Sequence, residues 1–166
     1  MDVPLTEKGE RDAARAGELL KGVAFDKAFA SDLIRARRTA EVALPDCPYE
    51  TTPLLREINV GTLSGQPISA LTGEQRKLAG KEGYAALGGE TRQELFDRVA
   101  RFMKQLEALE CESVAAFSHG GWLRAMLSSV VGVDLPGDRV CCNNCTVGIF
   151  EYADGVWRLH SWINLP

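Results

Sequence analysis

Two short apolar stretches, Ala28-Phe29-Ala30 and Val114-Ala115-Ala116-Phe117, each lead within a few residues into a helical pattern, and this alternation constrains the fold most. A run of three or four apolar residues is too short to be a buried helix. It fits an interior strand with both faces covered by helices. The rest of the chain extends the rhythm. Thr6 is a plausible N-cap, Glu7 sits in a first turn, and Ala13, Ala16, Leu19 and Leu20 share one face, with Gly22 closing the helix. Lys27 to Ser31 reads as a strand, Ile34 to Leu44 as a helix stopped by Pro45, and Tyr49 to Thr52 as a short strand.

Arg92 to Leu109 carries Leu95, Val99, Phe102, Met103 and Leu106 at helical spacing and is the clearest amphipathic helix. A strand over Ser113 to Phe117 precedes a helix over Trp122 to Val131, closed by Gly132. Val147 to Tyr152 and Val156 to Ile163 flank Ala153-Asp154-Gly155, whose Asp-Gly marks a hairpin. The pattern predicts an α/β fold: a three-layer α/β/α sandwich with a mainly parallel sheet. Such folds usually open on a strand, and this chain opens on a helix.

Its 166 residues fit one domain spanning 1–166. Within it, 53–89 is irregular, with a helix expected around Ile68 to Ala79, and reads as a cap or specificity segment. A net charge of −4 argues against nucleic acid and anionic membrane as partners, since both favour a basic surface. No apolar run approaches a membrane span, and Met1-Asp2-Val3-Pro4 does not look like a signal peptide. Five cysteines, an odd number in a chain of this size, fit reduced thiols in the cytoplasm.

Chemistry in open α/β sheets sits at the carboxyl ends of strands, where helix N-termini direct N–H groups at an anion. Two junctions here carry suitable residues: Ser31-Asp32-Leu33-Ile34-Arg35-Ala36-Arg37-Arg38 and Ser118-His119-Gly120-Gly121. An arginine fork at one and a histidine at the other would make a phosphate site, with two glycines letting backbone approach the ligand. Taken singly, His119 could be a polar loop residue, the arginines a solvated face, and Glu57 an exposed carboxylate.

Several segments in order resemble one family. They are Asp2-Val3-Pro4-Leu5-Thr6-Glu7-Lys8-Gly9, Ser31-Asp32-Leu33-Ile34-Arg35-Ala36 with Thr39-Ala40-Glu41, and Leu55-Arg56-Glu57-Ile58 with Gly61 and Ser64-Gly65. Gly88-Gly89-Glu90-Thr91 with Arg98-Val99, then Ser118-His119-Gly120-Gly121 and Asn144-Cys145-Thr146, continue the series. Together they resemble the histidine phosphatase superfamily, in the branch of cofactor-independent phosphatases and phosphoglycerate mutase-like proteins.

The resemblance implies a phosphoglycerate mutase-like sandwich and a small phosphate monoester or phosphate as ligand, with no cofactor and no metal. Arg35 would clamp phosphate oxygens and His119 would donate to the phosphoryl group, with Ser118 and Gly120 also binding substrate. Glu57 would be the general acid, which needs it protonated near neutral pH and partly desolvated. In the family a histidine of an Arg-His-Gly motif attacks the phosphorus. Here the histidines are His119 and His160, and no Arg-His-Gly occurs.

By the resemblance, the strand carrying that motif would precede Met1. Its neighbours would then expose backbone groups or pair with each other, and a homodimer through the open edge is one way to cover them. The expectation is a shortened enzyme, inactive or impaired. One alternative is a non-catalytic phosphate-ester-binding pseudoenzyme. Another is a metal or redox protein using Cys141-Cys142-Asn143-Asn144-Cys145.

Overall fold

The computed structural model describes residues 2–66, 72–73, 82–135 and 139–165. The helix expected around Ile68 to Ala79 lies largely outside them. Helix α1 spans Glu7–Leu20 and begins as its sequence implies, with the Thr6 side chain accepting from Gly9 N. It ends before Gly22, at a Lys21 cap whose N–H donates to Glu18 O. Strand β1 (Lys27–Ser31), helix α2 (Ile34–Ala43) and strand β2 (Glu50–Thr52) follow. Between Pro53 and Gly89 the described residues form short 3₁₀ turns at Pro53–Leu55, Gly61–Leu63 and Ala85–Leu87.

Helix α3 (Arg92–Glu107) opens on a complete capping box. The Thr91 hydroxyl accepts from Glu94 N, and the Glu94 carboxylate accepts from Thr91 N. Strand β3 (Val114–Phe117) leads into α4 (Gly120–Val131), which ends on left-handed Gly132. The chain closes with the hairpin β4 (Val147–Ala153) and β5 (Val156–Ile163). Its turn residues Asp154 and Gly155 both have positive φ, 55° and 76°, as an Asp-Gly two-residue turn requires.

Strands β2, β1 and β3 lie side by side and parallel, in that order. Along β1, Ala28 and Ala30 face one way and Phe29 the other, because side chains alternate. Phe29 joins Leu55, Val99, Phe102, Trp122 and Met126 in a core under α3 and α4. Its ring meets Phe102 edge-on at 5.7 Å, and Phe102 meets Trp122 at 5.6 Å.

The opposite face is built from small residues. Ala13, Ala16, Ala36, Ala40 and Ala43 of α1 and α2 are all buried. The two helices come close enough at Gly17 that a Cβ there would lie 2.7 Å from Ala43 O. Helices therefore cover both faces of a parallel sheet, as the alternation requires.

One feature departs from a single continuous sheet. Hairpin β4–β5 is a sheet of its own, antiparallel, with an irregularity between Ile149 and Phe150. It packs on α4 and lends Phe150 and Trp157 to the core. Among the described residues, β3 is laddered to β1 alone and β4 to β5 alone, so the two do not pair with each other.

Candidate active site

At the end of β1 the chain turns sharply, and Ser31 Oγ accepts from Leu33 N at 3.3 Å. Helix α2 has no cap from its own N-cap residue; instead Asp2 Oδ1 accepts from Ile34 N at 2.8 Å. Arg35 thus stands half-buried in the first turn of α2, where the helix end is positive. Its neighbour Arg38 points outward, bonded to both carboxylate oxygens of Glu10 at 2.8 and 3.0 Å. Arg38 is therefore part of a solvated face, and Arg35 is not. Asp32 takes a bidentate fork from Arg56, at 2.7 and 2.6 Å, which holds its carboxyl below the usual range.

At the end of β3, His119 becomes the N-cap of α4 without using its side chain to cap. Its Nε2 is buried and, among the described residues, meets no hydrogen-bond partner. Burial, then the charges of Arg35 and Arg98, lower its pKa from 6.5 to about 4, against weaker opposing pulls from Asp2 and Asp32. At neutral pH the imidazole is uncharged and retains one N–H to donate. A buried polar atom without a protein partner, within the field of two cationic side chains, is suited to meeting an anion.

Glu57 reaches the same helix end. Its Oε1 accepts from Ile58 N at 3.0 Å and its Oε2 from Gly121 N at 3.2 Å, one residue inside α4. A Cβ at Gly121 would sit 2.4 Å from Glu57 Oε1, so the second glycine of the pair is what admits the carboxylate. Gly120 is open toward Arg124 Nη1 and Cys142 Sγ, at 3.5 and 3.8 Å from where its Cβ would be. The Ser118 hydroxyl donates to Leu55 O at 2.7 Å, tying the end of β3 to the segment that carries Glu57. Ser118 thus braces that segment; this contact does not involve the imidazole.

Arg35, Glu57, Ser118, His119 and Gly120, singled out from the sequence, therefore converge on the heads of α2 and α4. The sequence reading gave no role in the site to Arg98 or Asp2, although both stand in segments that carry the resemblance. Arg98 had a legible signal. It falls on one helical stripe with Leu95 and Phe102, and an arginine on a core-facing stripe needs built partners. Asp2 acts through its bond to Ile34 N, 32 residues on in the chain, and left no such mark.

The second histidine, His160, is exposed on β5, with Nε2 3.1 Å from Glu151 Oε2. All five cysteines are free thiols, and burial raises Cys142 and Cys145 above their ordinary values. Among the described residues no cluster of three or more His, Cys, Asp or Glu side chains is arranged to hold a metal ion. Nor is any helix of the described residues long and apolar enough to cross a membrane.

An arginine and an imidazole at the C-terminal ends of parallel strands, with a carboxylate at one helix head, make an α/β protein with a candidate anion site. Comparison makes it specific: the family model of the histidine phosphatase superfamily (branch 1) matches residues 1–165, and the chain belongs to that family. The probable phosphoglycerate mutase GpmB of Salmonella paratyphi A is 33% identical over 171 residues, covering 98% of this chain and 80% of that protein. The crystal structure of TTHB049 from Thermus thermophilus superposes with a TM-score of 0.77 at 32% identity, covering 100% of this chain and 87% of that one. A phosphoserine phosphatase variant of Entamoeba histolytica, solved with phosphoserine, shares the fold with a TM-score of 0.81 at 21% identity, covering 98% of this chain and 85% of that one.

Proposed function

We propose that this chain is a phosphoglycerate mutase-like histidine phosphatase that binds a small phosphate monoester through Arg35 and His119. The observation that carries this reading is the buried His119 Nε2, which meets no hydrogen-bond partner among the described residues and lies within the electrostatic reach of Arg35. Arg35 would hold equatorial phosphate oxygens, and His119 would donate to a third as charge builds on the phosphoryl group. Glu57 would exchange a proton with the ester oxygen. Phosphoryl transfer draws mainly on positioning and positive charge, which suits this set of groups.

The 166 residues contain no Arg-His-Gly, and His160 sits on the exposed hairpin paired to Glu151. On this reading the chain alone binds its ligand and turns it over slowly or not at all. A second reading is a pseudoenzyme that binds the ester through Arg35 and His119 without turnover. The acidic net charge and unbridged thiols support a cytoplasmic setting. The edges of β3 and β4, unladdered among the described residues, support a homodimer.

Orthovanadate and inorganic phosphate, titrated calorimetrically, should bind, and Arg35→Ala should weaken binding by about tenfold or more, the worth of a charge-assisted fork. Binding insensitive to Arg35→Ala would overturn the site. Aryl-phosphate hydrolysis separates the two readings: turnover lost in His119→Ala supports an enzyme, and binding without turnover supports the pseudoenzyme. Turnover that survives His119→Ala would exclude the mechanism.

A further inference from the structure

We infer that Arg98, buttressed by Glu90, is the positioning residue for Glu57, fixing the backbone from which that carboxylate reaches the head of α4. This rests on the reading of Glu57 as the proton-exchanging group.

Four successive carbonyls precede and include that of Glu57, and each one is held by a side chain from elsewhere in the fold. Arg98 Nη1 donates to Leu54 O at 2.9 Å and to Arg56 O at 2.6 Å, and its Nη2 donates to Glu57 O at 3.4 Å. The remaining carbonyl, of Leu55, takes the Ser118 hydroxyl. Arg98 projects from α3 and Ser118 ends β3, so two core elements grip one irregular segment from different sides.

The guanidinium itself is fixed. Its Nε and Nη2 form a fork on the Glu90 carboxylate at 2.9 and 2.8 Å, and the two side chains are only 11% and 14% exposed. Glu90 is tied back to the same segment, since its Oε2 accepts from Asn59 N at 3.2 Å and its N donates to Asn59 O at 2.7 Å.

This arrangement suits a planar fork and no other side chain. Lysine could supply three donors around one point but not two carbonyls, a third and a carboxylate in one plane. A segment of 3₁₀ turns has few backbone bonds of its own to fix it, so side-chain donors must do so. The carboxylate's link to Gly121 N then depends on the clamp: Glu57 can touch the head of α4 only while its backbone stays against α3.

The Gly121 amide reports the contact directly. In ¹⁵N-labelled protein Glu57→Gln should displace its chemical shift, because the bond loses its charged acceptor. Made in an Arg98→Gln or Arg98→Lys background, the same change should give about half that response or less, because a planar fork is lost in both. Amides of α1 should be unchanged. If Arg98→Gln does not fold, Glu90→Gln supplies the test, since it removes the fork on the guanidinium with one atom changed.

A folded Arg98→Gln, or failing that a folded Glu90→Gln, with the full Gly121 response would overturn the proposal. The readout needs neither ligand nor turnover. Phosphate binding that survives Arg35→Ala therefore overturns the site and leaves the clamp standing, whereas a full Gly121 response in folded Arg98→Gln overturns the clamp and leaves the site standing.

Discussion

His119 carries the most information of any residue because its environment opposes its own charge. Its folded pKa of about 4 lies below the ordinary 6.5, so the folded state prefers the neutral ring. The stability this contributes is complete above pH 6.5 and is lost as pH falls from there through about 4. The shift corresponds to about 3 kcal/mol at its limit. Urea unfolding at pH 7 and pH 4 should show His119→Asn losing less stability on acidification than the parent by an amount of that order. An equal loss in both would remove the argument. Anion binding has the opposite sign, since a bound dianion favours the protonated ring. Sulfate should bind more tightly as pH falls toward 4, and His119→Asn should flatten that dependence.

Among the elements, α3 does two jobs with two stripes, and their energies differ. Its core stripe puts Val99 and Phe102 at 0% exposure, with Phe102 wedged edge-on between Phe29 and Trp122. Its first turn is held by the Thr91–Glu94 capping box. Phe102→Ala should cost about 3–5 kcal/mol through lost burial and a cavity. Thr91→Ala should cost only about 1 kcal/mol, since it removes one cap. Chemical denaturation compares them; equal costs would mean the core collapses around the missing ring. Phe102 also packs on Trp122, the residue after Gly121.

For the whole molecule, the question is how two sheets share one core. The parallel sheet ends at β2 and β3 and the hairpin at β4 and β5, each with one unladdered edge among the described residues. Unpaired strand edges invite a partner strand, and a second copy is the simplest source. Sedimentation equilibrium across micromolar concentrations should therefore show reversible self-association. A strict monomer over that range would exclude dimerisation through these edges.

What the sequence determined is local and periodic. Short apolar runs set β1 and β3, the 3- and 4-residue spacing set α3, Thr6 set the start of α1, and Asp154-Gly155 set the hairpin. Each follows from the nearest few residues, so each was legible. The order of motifs also picked out Arg35, Glu57 and His119. Tertiary structure alone decided which arginine serves the site and which the solvent, since Arg35 and Arg38 are neighbours on one helix and only packing separates them. It alone made Ser118 a brace on Leu55 and Arg98 a clamp on the segment carrying Glu57. It alone divided the strands into two sheets. The clamp joins residues 44 apart in the chain and the brace residues 63 apart, and such contacts exist only once the chain has closed on its core.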